Sequence, residues 1–368
     1  MLPIFTIYKK EQRVSSLSNR KFTSYLRYTM MEEQPPFEEQ QPVPDPPPVQ
    51  LPFTIPQRQS LTMGYFGQLS LLLILTGVGL IMGTVVGLIL FKILTGAAIW
   101  GPEALQALNN PAYANANKLM QVVVSIIAFF MPAYFLSLIV YRKPLHHLGF
   151  NGRVNIKQIG LVIAITCAGL LLSSALSELN EIIPISKHLQ TTFRKMEDDY
   201  SDGILVMANM KNFGDYLITV FVIALLPAIV EETFFRGGVQ QLLVAWFKKP
   251  WIAIVVTSVL FSAIHVSYYG FLPRAALGVM LGLLFYYSKS IWLNILAHFL
   301  NNAIAVTQLY LVARSGKLTK EAMNAMDSNF PLWMGLIVVP LIISLFILFK
   351  RESDKVIATT TEPENSLA

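Results

Sequence analysis

Residues 59–91 read QSLTMGYFGQLSLLLILTGVGLIMGTVVGLILF, 33 positions without one Asp, Glu, Lys or Arg. A helix rises about 1.5 Å per residue, so ~20 residues cross a ~30 Å hydrocarbon core, and this stretch is long enough to do so with tilt. Charge is also missing between Lys118 and Arg142, between Lys157 and Glu178, and over residues 216–230. It is missing again over residues 250–273, 275–288, 290–313 and 328–349. The shorter runs reach spanning length by borrowing flanking residues. An open strand edge in lipid leaves backbone groups without partners, and the alternating pattern of a membrane barrel is absent. The expected fold is therefore all-α: a polytopic membrane helical bundle of about eight transmembrane helices.

Composition agrees. Of 368 residues, 54% are hydrophobic and 14% charged, against roughly 25% charged in soluble domains. That balance argues against both a disordered chain and an ordinary globular enzyme. The net charge of +6 invites a nucleic-acid partner, but the basic residues flank apolar runs instead of gathering on one face, so none is expected. The lone Cys167 excludes an internal disulfide framework and a four-cysteine metal site.

Three domains of behaviour are expected. Residues 1–59 are basic at the start and then proline-rich, with nine of the 21 prolines between Gln34 and Pro56, and read as a disordered cytosolic arm. No apolar signal run opens the chain, and Met30 or Met31 is an alternative initiator. Residues 60–350 form the transmembrane domain, and residues 351–368 a polar, frayed tail. Arg142, Lys143, Arg153 and Lys157, then Lys248 and Lys249, then Lys289, then Lys350, Arg351 and Lys355 alternate with connectors poorer in cations. By the positive-inside rule these groups and both termini are cytosolic, at the inner membrane if the source is bacterial. Residues 178–215 read as an external loop with one or two surface helices.

A bilayer makes polar residues expensive, so those kept inside spans are functional candidates. The first group is Glu231-Glu232-Thr233-Phe234-Phe235-Arg236. Adjacent residues on a helix lie about 100° apart, so the two carboxylates do not share a face. Glu232 and Arg236 are spaced to pair, which leaves Glu231 as a free carboxylate suited to act as a general base on water. The second is Phe261 with His265, one turn apart on the fifth span. Counted from the Lys248-Lys249 connector, Glu231 lies ~25 Å along its helix and His265 ~24 Å along the next, so contact is possible. The third is Asn294, His298 and Asn302, a stripe at four-residue spacing next to Asn301. His298 and Asn302 offer donors for a developing oxyanion, although a stripe of Asn also serves to glue helices together. Glu231, His265 and His298 are also ligand types that zinc accepts, and the spacing leaves a metal-bound water and a Glu/His-held water both open.

In order, these residues read EExxxR, FxxxH and HxxxN. The chain thereby resembles the CAAX protease and bacteriocin-processing (Abi) family of intramembrane proteases, over roughly residues 215–310, with no departure at the motif positions. The resemblance implies peptide-bond hydrolysis inside a membrane cavity. It implies that Glu231, helped by His265, activates water, that His298 and Asn302 stabilise the oxyanion, and that Glu232 and Arg236 brace the site, with Phe261 and Asn294 supporting. Family members are commonly labelled metalloproteases, whereas the prenyl-protein endopeptidases resemble glutamate-dependent enzymes. A metal-free site with no cofactor is the expectation here, with zinc on Glu231, His265 and His298 as the alternative. The implied partners are a peptide or protein substrate, lipid-modified or not, and membrane lipids. The competing functions are a non-enzymatic immunity or interaction protein of the same family and an ion-coupled transporter. Against the transporter, no duplication of broken helices relates the two halves.

Overall fold

The structure, a computed structural model, describes residues 63–141, 143–207, 210–316 and 331–365. The proline-rich arm expected over residues 1–59 lies outside them. Among the described residues every regular element is a helix. In chain order these are α1 (Tyr65–Thr95), α2 (Pro102–Leu108), α3 (Pro111–Val140), α4 (Pro144–His147), α5 (Ile156–Ile182) and α6 (Lys187–Met207). They continue with α7 (Phe213–Phe247), α8 (Pro250–Ala263), α9 (Phe271–Ser288), α10 (Ile291–Arg314) and α11 (Leu332–Asn365). Helices α1, α3, α5, α7, α9 and α10, with the first 28 residues of α11, are seven elements long and apolar enough to cross a membrane. The chain is an all-α polytopic membrane bundle.

The fifth of the eight expected spans becomes α8, only 14 residues long, or about 21 Å. It stops short of a full crossing. His265 therefore lies two residues past the end of α8, on the turn to α9, and not within a helical span as its spacing predicts. The turn is tied down from three directions. Ser262 Oγ donates to Phe271 O at 2.7 Å, Asn180 Nδ2 of α5 to Tyr268 O at 2.7 Å, and Ser267 Oγ to Glu197 of α6 at 2.8 Å. Non-helical backbone at bilayer depth is tolerated only when protein satisfies it, and this turn meets that condition. The connector between α5 and α7 holds a single long helix, α6. The expected tail does not begin where the last span ends: α11 runs unbroken past Arg351 to Asn365.

Prolines shape two of the long helices. Pro132 in α3 and Pro227 in α7 each follow a widened π-helical segment, Ile126–Phe130 and Val220–Leu225. A mid-helix proline removes one backbone donor and crowds the carbonyl four residues back, and a π turn relieves both. α7 widens a second time over Thr233–Gln240, where Gly237 and Gly238 lie.

Two packed layers flank the site. Val162, Ile165, Leu281, Leu284, Leu293 and Phe349 join α5, α9, α10 and α11. Leu72, Leu136, Phe235, Leu243, Ala253 and Phe261 join α1, α3, α7 and α8. Below them the connector before α5 seals the start of α10. Ile291 N donates to Gly149 O at 3.0 Å and Trp292 Nε1 to Phe150 O at 2.9 Å. Gly149 has φ +90°, and a Cβ there would meet the Phe285 ring at 2.7 Å, so a side chain is excluded twice over.

Candidate active site

The short helical segment Leu226–Glu232 lies between the two π segments of α7 and ends on the acidic pair. Widened turns re-aim the side chains that follow them, and here they leave Glu231 and Glu232 in different surroundings.

Glu232 and Arg236 are both fully buried. Arg236 Nη1 donates to Glu232 Oε1 at 2.9 Å, and Nη2 to Gly278 O of α9 at 3.1 Å. The guanidinium lies over the Phe261 ring at 4.7 Å. Asn294 Nδ2 reaches Glu232 Oε2 at 3.3 Å and Leu281 O at 2.6 Å. His298 Nδ1 stands 2.8 Å from Glu232 Oε1. A carboxylate only accepts, so Nδ1 is the donor, and His298 presents Nε2 on its other side. Removing water from an ion pair costs several kcal/mol per ion, and only such additional hydrogen bonds make the burial tolerable.

Glu231 contrasts with its neighbour. Its side chain is 21% exposed and its Oε2 is 3.9 Å from His298 Nε2. That oxygen is itself buried and has no hydrogen-bond partner among the described residues. His298 thus stands between the two carboxylates, hydrogen-bonded to one and facing the other. His265 approaches from the turn after α8. Its Nδ1 lies 2.7 Å from Phe261 O, and since a carbonyl only accepts, Nδ1 is the donor. Glu231, Arg274 and His298 all act electrostatically on His265. Phe261 is the hub, with ring centroids 5.2 Å from Phe235, 5.0 Å from His265 and 5.9 Å from His298.

The fold therefore gathers Glu231, Glu232, Arg236, Phe261, His265, Asn294 and His298 from α7, α8, its following turn and α10. Asn302 lies one turn beyond His298, where its Nδ2 is 3.5 Å from Ile223 O in the first π segment of α7 and its Oδ1 accepts from Asn301 at 3.1 Å. Three contributors were not singled out in the sequence. Gln240, one turn after Arg236, donates to Gly282 O at 3.0 Å. Gly278 and Gly282 give α9 its close approach: a Cβ would meet Ser258 at 2.9 Å in the first case and Ile254 at 2.8 Å in the second. The four-residue spacings 236–240 and 278–282 are the signals that mark them.

As a metal cradle the cluster fits poorly. Among the described residues no three His, Cys, Asp or Glu side chains are grouped to hold an ion. Glu231, His265 and His298 are thus not grouped as three ligands of one centre.

Residues 213–304 match the family model described as type II CAAX prenyl endopeptidase Rce1-like. That segment is about a quarter of the chain and contains every residue of the cluster. No curated protein and no solved structure gives a match. With the three motifs in order, this match over residues 213–304 supports the CAAX protease family, the matched model being the one described as type II CAAX prenyl endopeptidase Rce1-like.

Proposed function

We propose that this protein is an intramembrane endopeptidase in which Glu231, with His265, activates a water molecule against a peptide carbonyl. The observation that carries the reading is the buried Glu231 oxygen without a hydrogen-bond partner among the described residues, 3.9 Å from a His298 nitrogen that Glu232 holds in place. Glu231 takes a proton as the water oxygen bonds to the carbonyl carbon. His298, as an imidazolium braced by Glu232, and Asn302 donate to the oxyanion of the tetrahedral intermediate. The C–N bond then breaks and the proton passes from Glu231 to the departing amine, which leaves the enzyme unchanged. His265 Nε2 accepts from the same water and orients it.

On this reading no resident metal takes part, and the site residues serve as acid, base and oxyanion donors. The first substrate to try is a peptide with a prenylated cysteine followed by three residues, since the matched family is described by prenyl endopeptidases. On this reading the basic connectors and both termini face the cytosol, as the positive-inside rule expects.

The decisive experiment reconstitutes the protein in liposomes and follows cleavage of that peptide. Glu231→Gln and His265→Ala are each expected to lower the rate by about a hundredfold or more, with folding verified by thermal unfolding. Full activity in either variant overturns the assignment. Full activity of the native protein after exhaustive chelation is expected, and loss restored by zinc overturns the metal-free account.

A further inference from the structure

Among the described residues Lys248, Val266 and Lys289 combine a side chain with positive φ. Lys248 and Lys289 are left-handed caps that end α7 and α9. Val266 ends no helix. It lies two residues past Ile264, the cap of α8, and directly follows His265, with φ +50°. A branched Cβ in that region is strained, and such a residue persists only where its surroundings over-determine it. The valine side chain is 60% exposed, so its own burial does not hold it.

The holding groups come from outside the turn. Buried Asn180 of α5 donates from Nδ2 to Tyr268 O at 2.7 Å, and that carbonyl also accepts from Phe271 N at 3.0 Å. Glu197 of α6 accepts from Ser267 Oγ at 2.8 Å, while the same hydroxyl accepts from Gly270 N at 3.1 Å. Phe193, one turn before Glu197, stacks on Tyr268 with ring centroids 4.7 Å apart and an interplanar angle of 2°. Two helices thus grip residues 267 and 268, immediately after the strained valine. Asn180, Phe193 and Glu197 all precede residue 213 and lie outside the matched family segment. The hydrolytic scheme uses none of them.

We propose that Asn180, Phe193 and Glu197 are positioning residues that lock Val266 in its left-handed conformation and so fix the His265 imidazole at the site. With residues 267 and 268 clamped, any rotation about φ of Val266 swings the residue before it, which is His265. The clamp supplies the restraint and the valine the opposing strain. Cutting the clamp lets the backbone relax and moves the imidazole off the water it orients. The inference rests on the peptidase reading above.

The test uses the liposome-reconstituted protein and the prenylated peptide, with kcat and KM measured separately. Asn180→Leu and Glu197→Ala are each expected to lower kcat about tenfold with KM within about threefold of native, because misplacing a reacting group falls on the chemical step. Glu197→Gln keeps an acceptor for Ser267 and is expected to retain most of the rate. In a His265→Ala background the first two substitutions are expected to cost nothing further, since residues acting through one group are not additive. Val266→Gly added to Glu197→Ala is expected to recover part of the lost kcat, because glycine adopts positive φ without strain. Native kcat in Glu197→Ala overturns the proposal, and this arm stands even if Asn180→Leu does not fold. So does an undiminished loss in the His265→Ala background, which marks a merely structural role, and so does the absence of recovery with Val266→Gly. All these results are read against an impaired His265→Ala; full activity in His265→Ala is instead the failure of the peptidase reading.

Discussion

The contact of α1 with α3 and the contact of α7 with α9 and α10 solve the same problem by opposite means. Between α1 and α3 the seam is shape alone. Gly79, Gly83 and Gly87 bring α1 against the backbone and side chains of Ile127, Val124 and Met120, and dispersion supplies the attraction where lipid cancels any hydrophobic drive. Between α7 and its partners the seam is polar: Arg236, Gln240 and Asn294 spend their donors on Glu232 and on the carbonyls of Gly278, Leu281 and Gly282. A shape seam tolerates small losses of fit. A charged seam fails when one member is lost, because the remainder is stranded.

That contrast is broken most severely at Arg236. Arg236→Met leaves Glu232 buried without its ion partner and is expected to cost about 3–5 kcal/mol, read as a lower unfolding temperature in detergent or as loss of protein from the membrane. Adding Glu232→Leu is expected to restore much of the stability and none of the peptidase activity, because the brace on His298 is then gone. Recovery of activity in the double variant contradicts the bracing role.

Gly79→Val tests the other seam. A Cβ at that position would lie 2.5 Å from Ile127 O, with backbone as the obstacle, so α1 must move. The expected loss is about 1–3 kcal/mol, with kcat of the folded protein unchanged, since the seam holds none of the reacting groups. A matching fall in kcat shows that the two seams are coupled.

The smallest effect belongs to the connector at Lys289. Burial holds its amine down at about 7, opposed in part by Asp354, and the nitrogen lies 4.1 Å from the Tyr286 ring centre. The folded state then binds fewer protons than the unfolded chain between pH ~7 and the ordinary lysine value near 10.5. Stability is therefore gained as pH rises through that window. Lys289→Met is expected to flatten the rise, measured as unfolding temperature against pH. An unchanged slope assigns the rise to other groups.

The uncharged runs made the bundle legible, since length and apolarity alone decide whether a helix crosses lipid, and the three motifs made most of the cluster legible. The pairing of Glu232 with Arg236 followed from helical periodicity. What did not follow were contacts made across helices. His298 stands 2.8 Å from Glu232 and 3.9 Å from Glu231 across helices, on an α10 whose start is held to the connector at Gly149. His265 leaves the helix because α8 ends early, and nothing in an apolar run marks the point where other elements replace its hydrogen bonds.

The residue order by itself determined that this chain lives in lipid and carries acids, two imidazoles and an arginine on three of its apolar segments, because hydropathy and periodicity are local properties. Only the tertiary structure decided what else surrounds the pair of Glu232 and Arg236, with Asn294 and His298 of α10 reaching Glu232 and the Gly278 carbonyl of α9 reaching Arg236, because sequence spacing within a single helix does not encode distances between helices.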